Sequence, residues 1–266
     1  MFRDKVAVIT GAGSGIGREL ARQLAGRGAR LALSDVNATG LAETERLCGS
    51  AEVRSYHLDV ASREQVFAHA DEVKRDFGAA HSLFNNAGVT LCATINEATI
   101  EEIEWQLAIN LWGVIYCTKA FLPMMLAQRA GHIVNFSSIF GLVGGKAQGA
   151  YNITKFGVRG LTECLWRELD GTGVKATTVH PGGIKTAIGA KARWGANVSA
   201  DTKEEIGPLI EKVLITPAAT CASDILAGVA RGKRRILTGN GARSIDILSR
   251  LLPVRHVGVQ KAALGF

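Results

Sequence analysis

The sequence has few cysteines, few aromatic residues and no long uninterrupted apolar run. Its five cysteines among 266 residues are odd in number and lack CxxC spacing, so they predict reduced, mostly buried thiols and no metal cluster. No apolar run approaches the ~18 residues that cross a bilayer. The N-terminal MFRDKVAVIT leads directly into a strand pattern, without the apolar stretch of a secretion signal, and a cytoplasmic protein is expected.

The net charge of +7 is confined to one end of the chain. Residues 231–266 contain eight Lys or Arg and one Asp, whereas the preceding 230 residues contain 23 basic and 23 acidic residues. The body of the protein is therefore neutral, which argues against a general nucleic-acid-binding surface.

Apolar strand patterns alternate with helical patterns along the chain. The predicted strands are Val6–Thr10, Arg30–Ser34, Val53–His57, a short run from Leu83, His132–Phe136, Lys175–Val179 and Ile236–Thr238. The predicted helices are Arg18–Arg27, Ala38–Leu47, Ser62–Phe77, Ile103–Ala127, Tyr151–Leu169 and Pro217–Arg231. This alternation predicts a single α/β domain over residues 1–240, a Rossmann-like doubly wound parallel sheet of about seven strands flanked by helices. The long connection over residues 186–216 predicts a lid or binding loop.

A glycine-rich turn lies between the first predicted strand and the first predicted helix. Gly11, Gly15 and Gly17 follow the pattern TGxxxGxG rather than GxGxxG. Such glycines let the backbone approach a pyrophosphate, whose charge the helix N-terminus receives. Asp35 ends the second strand, where a carboxylate accepts both hydroxyls of an adenosine ribose and repels a 2′-phosphate. Because no arginine follows Asp35 directly, the turn predicts NAD rather than NADP; the alternative is a solvated loop aspartate.

The segment from Ser138 to Lys155 carries the pattern with the most chemistry. Tyr151 and Lys155 are four residues apart, so on a helix their side chains share one face, and a glycine-rich loop allows Ser138 to return beside the tyrosine. Lowering a tyrosine pKa from ~10 to ~7 takes roughly 4 kcal/mol of phenolate stabilisation. A lysine within about 4–6 Å supplies one to three pKa units, and the helix dipole adds to it. The pattern predicts an acid–base tyrosine, although by itself it is more typical of a surface helix pair.

In this order, the motifs resemble those of the short-chain dehydrogenase/reductase family in its compact, single-domain form. The resemblance extends over about residues 3–240. The matching motifs are TGAGSGIG at residues 10–17, Asp59, NNAG at residues 85–88, Asn110, Ser138, YNITK at residues 151–155, and Pro181-Gly182.

The resemblance implies a role for each matching residue. Tyr151 would be the general acid–base, Ser138 would hold the substrate oxygen, and Lys155 would lower the tyrosine pKa and bind the nicotinamide ribose. Asn110 would hold a water that links Lys155 to solvent. The thirteen-residue interval to Tyr151 selects Ser138 over Ser137. NAD would be bound by Gly11, Ser14, Gly15, Ile16, Gly17, Asp35, Asp59, Val60, Asn86, Ala87, Gly88, Tyr151, Lys155, Pro181, Gly182, Ile184 and Thr186.

The reaction implied is hydride transfer between NAD and a secondary alcohol or ketone. The residues expected to line the substrate pocket are mostly apolar and include neither Arg nor Lys: Leu91, Phe140, Leu142, Val143, Gln148, Gly182, Ile188 and Trp194. They predict a medium-to-large hydrophobic substrate, and the rival is a small diol or acetoin-type compound. The other class of function is a catalytically silent nucleotide-sensing module, although such modules typically lose the tyrosine or the lysine.

The C-terminal extension, residues 241–266, departs from the compact ending of the family. Ser244 is a predicted N-cap and Pro253 a predicted stop for a short basic amphipathic helix. Ile245, Leu248 and Leu252 are predicted to share one face of it, with Arg250 away from that face. Such a segment can rest on an anionic membrane surface; the favoured alternative is that it packs over the active site or a neighbouring subunit. The resemblance also implies a homodimer or homotetramer, paired through the helices that carry Asn110 and Tyr151.

Overall fold

The computed structural model describes residues 1–190 and 192–258, leaving aside the side chains of residues 187, 190, 210 and 211. Its centre is a parallel sheet in the spatial order β7-β6-β5-β4-β1-β2-β3, which confirms the predicted doubly wound α/β fold. The strands are β1 (Val6–Thr10), β2 (Arg30–Asp35), β3 (Val53–His57), β4 (Ser82–Asn85), β5 (Gly131–Phe136), β6 (Val174–Pro181) and β7 (Arg235–Thr238).

The central strands are apolar over their whole length because helices cover both faces of the sheet. All five residues of β1 are buried, and its side chains alternate between two cores. One core is built around Ile9, Leu20 and Phe84, and the other around Val8 and Phe121. Strands with alternating polar and apolar residues would instead indicate a sheet with one face exposed to water.

Helices connect the strands at bounds close to those predicted. They are α1 (Gly15–Ala25), α2 (Ala38–Leu47), α3 (Arg63–Phe77), α4 (Ile100–Leu107), α5 (Gly113–Ala127), α6 (Gly149–Glu168), α7 (Ala187–Ala190), α8 (Ala200–Val213), α9 (Ala218–Ala230) and α10 (Ala242–Leu251). Local caps explain several of these bounds. The Ser62 side chain accepts the Gln65 N–H to begin α3, and Gly78, with φ +74°, ends it.

The long helix predicted from Ile103 is interrupted at its middle. Ala108–Trp112 forms a π-helical turn between α4 and α5, and such turns are frequent at functional sites. By length and composition, the stretch Ile100–Ala127 is apolar enough to cross a membrane, contrary to the expectation from the sequence. In this structure one face of the stretch packs on the sheet, where it buries Phe121 and the polar side chain of Asn110.

The connection predicted as a lid contains α7, α8 and a two-residue strand. That strand, Arg193–Trp194, pairs in parallel with Leu91–Cys92. A carboxylate oxygen of Glu102 accepts the Ala196 N–H at 2.8 Å, which fastens the base of the connection to α4. Both helices of the predicted lid line the cavity described below, α7 through Ile188 and α8 through Ile206 and Leu209.

The C-terminal extension begins with α10, which packs along β7. Ser244 is not its N-cap: the helix begins after Gly241, whose φ of +74° marks the turn out of β7. Gly241 supplies this turn at no steric cost, and it places Ser244 within the first helical turn. Ile245 packs on Leu142 and Val143, so one face of the extension covers the loop before α6.

The strand order reverses between β1 and β4, which are neighbours in the sheet. At such a point the helices that follow the two strands leave toward opposite faces, and a crevice opens at their carboxyl ends. The glycine-rich turn follows β1, and the NNAG segment begins at the end of β4. The fold therefore places both motifs at the edge where a dinucleotide binds.

Candidate active site

A cavity of about 740 Å³ lies at the carboxyl edge of the sheet, between the loops after β1, β4, β5 and β6, the lid helix α8 and the C-terminal extension. Every residue predicted to contact NAD lines this cavity except Gly17. Asn110 also lies outside its lining. The motifs that the resemblance singled out thus converge on one place.

Gly17 supports the glycine turn from behind. A Cβ at Gly17 would lie 2.2 Å from the Gly11 carbonyl oxygen and 2.6 Å from Nδ2 of Asn86. That same Nδ2 donates to the carbonyl oxygens of Thr10 and Gly11, at 3.0 and 3.1 Å. The third glycine is therefore needed so that α1 can approach the turn and Asn86 can hold it.

We expect Gly17→Ala to lower the free energy of unfolding by about 1–3 kcal/mol, because a methyl group there meets fixed backbone rather than flexible side chain. Urea unfolding measures this change. The matched control is Gly26→Ala at the other end of α1, where φ is −62° and a Cβ would make ordinary van der Waals contact, 3.7 Å from the Arg22 carbonyl oxygen. A Gly17→Ala protein as stable as the control would contradict this close approach.

Asp35 has two contacts within the chain. Its Oδ2 accepts the Gly13 N–H at 2.8 Å and its Oδ1 accepts the Asn37 N–H at 2.8 Å. The carboxylate therefore braces the glycine turn while it faces the cavity. Each oxygen keeps a lone pair with which a ribose hydroxyl can be bound.

The residues of the turn fit a dinucleotide pyrophosphate. Helix α1 begins at Gly15, and the Ser14 hydroxyl makes no capping hydrogen bond. The first N–H groups of a helix are unpaired within it and carry partial positive charge. Gly11 and Gly15, with φ of +66° and +53°, give the turn its shape, and a Cβ on Gly11 would collide with Ala87 at 2.7 Å.

Tyr151, Lys155 and Ser138 come together at the other end of the cavity. Tyr151 is in the first turn of α6, and Nζ of Lys155 lies 5.3 Å from the centre of its ring. Nζ also donates to the Phe136 carbonyl oxygen at 2.9 Å. The Ser138 hydroxyl lies near enough to the Tyr151 phenol to act on its pKa, and it accepts the Phe140 N–H at 3.1 Å. The Ser137 hydroxyl instead donates to the Lys155 carbonyl oxygen at 2.8 Å.

Burial dominates the ionisation of this pair. It raises the pKa of the Tyr151 phenol to about 12, although the nearby Ser138 hydroxyl acts to lower it. Burial likewise lowers the pKa of the Lys155 ammonium to about 8. The expected tyrosine pKa near 7 is thus not a property of the chain without its cofactor, because desolvation disfavours the charged form of both groups.

Asn110 is clamped to the segment after the NNAG motif. Its Oδ1 accepts the Val89 N–H and its Nδ2 donates to the Val89 carbonyl oxygen, both at 2.8 Å. A Cβ on Gly88 would lie 3.3 Å from Asn110 Oδ1 and 3.7 Å from Lys155 Nζ. The side chain therefore aligns this loop with the lysine. The water relay implied by the resemblance stays a prediction.

Two positioning residues were missed in the sequence. Asn152 donates to the carbonyl oxygens of Phe140 and Val143, both at 2.7 Å, and accepts the Gly145 N–H at 3.0 Å, which fixes the loop that carries Ser138.

His180 is fully buried, and its Nδ1 lies 2.9 Å from the Ser138 carbonyl oxygen. Because the Ser138 carbonyl oxygen can only accept a hydrogen bond, Nδ1 of His180 carries the proton. Burial lowers the pKa of the His180 ring to about 4, so the ring is neutral near pH 7.

The residues that line the substrate half of the cavity differ in part from those expected. Phe140, Val143, Gln148, Gly182 and Ile188 line it. Three expected residues do not: Leu91 and Trp194 pack together in a separate small core, and Leu142 packs beneath the C-terminal extension. Tertiary contacts add Thr90, Cys92, Ile206, Leu209, Val213, Leu214, Ile245 and Val257.

A lysine does line the cavity, contrary to the expectation that the pocket has none. Lys146 lies in the loop before α6, and its ammonium is paired with Glu205 of α8 at 2.5 Å. Both side chains are about half exposed. Because the Glu205 carboxylate already neutralises the Lys146 ammonium, this ion pair connects α8 to the loop and leaves no free cation for the substrate.

Known proteins share both the sequence and the fold. Residues 5–196 match the family described as short chain dehydrogenase. A Mycobacterium tuberculosis protein named as an oxidoreductase, SadH, is 45% identical over 255 residues, which cover 94% of this chain and 92% of its own.

Solved structures with the same fold were crystallised with different cofactors. A short-chain dehydrogenase/reductase from Burkholderia phymatum in complex with NAD superposes with a TM-score of 0.85 at 32% identity, over 97% of this chain and 95% of the other. An alcohol dehydrogenase from Thermococcus sibiricus complexed with 5-hydroxy-NADP does so with a TM-score of 0.73 at 27% identity, over 86% and 91%. By its sequence, its sheet and these relatives, the chain belongs to the short-chain dehydrogenase/reductase family of oxidoreductases.

Proposed function

We propose that this oxidoreductase uses NAD to interconvert a hydrophobic secondary alcohol and its ketone. The observation that carries the proposal is the meeting of Tyr151, Lys155 and Ser138 at one end of a cavity whose other end is the Asp35 carboxylate and the glycine turn. A module that only senses nucleotides has no need of the first group.

The cofactor, when bound, supplies or accepts the hydride. The chain supplies position and proton transfer. For reduction, the protonated Tyr151 phenol donates its proton to the carbonyl oxygen that the Ser138 hydroxyl holds by a hydrogen bond. For oxidation, the same phenol must first lose its proton, and the nearby Lys155 ammonium favours the phenolate. His180 and Asn152 keep Ser138 in place by holding its backbone and its loop.

The preference for NAD rests on Asp35. Its carboxylate lies in the cavity wall, and a second negative charge, such as a 2′-phosphate, placed beside it would be repelled. The residue that follows is Val36, so no adjacent guanidinium compensates. The Burkholderia phymatum relative, of similar length, was crystallised with NAD.

The substrate half of the cavity supports a hydrophobic substrate. Ile206 and Leu209 of α8, Phe140 and Val143 of the loop, and Ile245 of the extension form apolar walls. Besides Ser138 and Lys155, the substrate half contains Gln148, whose amide is already hydrogen-bonded to Thr90 and Cys92. A small diol would leave much apolar surface wet, which favours a larger apolar molecule.

A turnover series tests both parts of this proposal. Purified protein is assayed by absorbance of the reduced nicotinamide, with NAD and NADP, on secondary alcohols from butanediol to steroids. We expect turnover with NAD and the highest kcat/KM among the larger apolar alcohols. Fastest turnover on the smallest diols would contradict the substrate class, and activity confined to NADP would contradict the cofactor.

The direction of the pH dependence follows from the raised pKa of Tyr151. Below that pKa, each pH unit increases the phenolate fraction about tenfold, so initial-rate kcat/KM for alcohol oxidation should rise from pH 6 to pH 8. Reduction needs the protonated phenol, which is present throughout this range, and should not rise. A flat oxidation profile, measured with the substrate and cofactor that the series identifies, would contradict the role of Tyr151 as the base.

We also propose that the protein forms a homodimer or homotetramer through α5, its preceding π turn and α6. Trp112 is 48% exposed on this face, and Ile153 and Phe156 are 50% and 42% exposed. Apolar side chains so exposed on adjacent helices are typical of a subunit interface. Light scattering on the purified protein measures the mass, and a monomer at micromolar concentration would contradict this assembly.

A further inference from the structure

A second exposed apolar surface lies on the C-terminal extension. Ile247 and Leu251 share the outer face of α10, and Val254 and Val257 follow beyond its end. These four side chains are 57%, 73%, 81% and 62% exposed, respectively. We call them the tail patch. Four large aliphatic side chains so exposed within eleven residues are unusual on a protein surface that faces only water.

The exposed charged residues of the described part of the extension, residues 241–258, are all arginines. Arg250 and Arg255, which lie among its residues in sequence, and Arg243, one helical turn before Ile247, are exposed. Asp246, the one acidic residue of residues 231–266, is buried on the inner side of α10, where Arg235 and Arg250 pair with it. Within the described part of the chain, Arg243 and Arg255 form no ion pair. The surface is therefore apolar and cationic.

The tail patch is continuous with the cavity. Val257 belongs to the tail patch and also lines the cavity. The inner face of α10 contributes Ile245 to the same cavity wall. An apolar path thus leads from the outer surface of the extension to the substrate half of the site.

We infer that the tail patch docks on an anionic lipid surface. Aliphatic side chains flanked by arginines on a short helix match the interface of such a membrane, where the apolar groups enter the acyl boundary and the guanidinium groups meet lipid phosphates. Docking there places the cavity mouth at the bilayer. If the substrate is the hydrophobic alcohol or ketone proposed above, it can then enter from the lipid without crossing water; this last step rests on the proposed function, whereas the docking does not.

A second copy of the chain fits the tail patch less well. In a two-fold contact the same surface meets itself. Arg243, Arg250 and Arg255 would then approach their own copies, and like charges brought together across an interface cost several kcal/mol. The face around Trp112 and Phe156 carries no such cluster of cations and is the better surface for self-association. An anionic occupant satisfies both properties of the tail patch.

The docking is tested with the whole protein and vesicles, without any turnover. Flotation is measured on phosphatidylcholine vesicles with and without about one third phosphatidylserine. We expect binding to the anionic vesicles and at least tenfold weaker binding to the neutral ones. Leu251→Glu should weaken the partition onto anionic vesicles at least tenfold, since it puts a charge where an apolar group inserts. The matched control is Ile100→Glu, which alters a residue 66% exposed at the start of α4 and should bind as the unmodified protein does.

The other outcomes separate the alternatives. Absence of vesicle binding, or equal binding by Leu251→Glu and the unmodified protein, overturns the inference. A change of molecular mass in Leu251→Glu without a change in vesicle binding identifies the tail patch as a subunit contact and also overturns it. Circular dichroism shows whether each variant is folded.

Substrate delivery is tested separately. Leu251→Glu should keep its rate on a short, water-soluble ketone and lose at least fivefold on a lipophilic ketone presented in anionic vesicles. Vesicle binding without any turnover of either ketone would contradict the proposed function while leaving the docking intact. Equal rates of the two proteins on the vesicle-borne ketone would contradict delivery alone.

Discussion

Tyr151→Phe should lower kcat/KM by about 10²–10⁴ in both directions, since it removes the one group placed to exchange a proton with the substrate oxygen. The ring is retained, so its edge-to-face contact with Phe140 and the packing of α6 should persist. The variant should also still bind the reduced cofactor, which a titration of protein fluorescence measures. A large loss of turnover at unchanged cofactor affinity is the expected signature.

The chain offers a matched control for this change. Tyr116→Phe also removes a phenol hydroxyl, from a ring of α5 that stacks on Trp112 of the preceding π turn, outside the cavity lining. We expect it to keep full activity. If Tyr151→Phe turned over its preferred substrate as fast as the unmodified protein, the acid–base mechanism would have to be abandoned.

Asp35→Asn should change which cofactor is used. It removes the negative charge at nearly constant shape, and its amide oxygen can still accept one of the two N–H groups, from Gly13 or Asn37, that the carboxylate holds. We expect the ratio of kcat/KM for NAD over NADP to fall roughly 10²-fold, which corresponds to about 2.8 kcal/mol. The reason is the loss of repulsion toward a 2′-phosphate together with the loss of a ribose acceptor.

Asp59→Asn separates this effect from a general change of charge. Asp59 also lines the cavity, and its Oδ1 accepts the Ala61 N–H at 2.9 Å. It is expected to border the adenine rather than the ribose, so its substitution should alter NAD and NADP use equally. An Asp35→Asn protein with an unchanged cofactor ratio would show that another feature discriminates between the two.

Much of the fold could be predicted because its determinants are local. A buried parallel strand is a short apolar run, and β1 reads as one; its pairing with β2 then follows from the connection between them. Helix ends were predictable where a single side chain sets them, as Ser62 does for α3. The same reasoning misplaced the start of α10, because Gly241 rather than Ser244 begins that helix. The π turn around Asn110 left no local signal, since its residues also fit a continuous helix.

Motif spacing identified the residues that line the nucleotide end of the cavity, where the glycine turn and Asp35 are fixed by the strands that precede them. It did not identify the substrate end. Leu91 and Trp194 satisfy the same apolar pattern as Ile206 and Leu209, yet the first pair forms a separate core and the second pair lines the cavity. Which face of an apolar segment turns to a cavity depends on what packs on its other face.

The sequence by itself determined the order of strands and helices, the glycine turn and the one-turn spacing of Tyr151 and Lys155, since each depends on residues close together in the chain. Only the tertiary structure decided that His180 holds the backbone of Ser138, 42 residues away, that burial rather than the lysine dominates the pKa of Tyr151, and that the C-terminal extension closes the cavity wall. The physical reason is that hydrogen-bond partners, desolvation and cavity walls arise from groups far apart in the chain, whose approach no local pattern records.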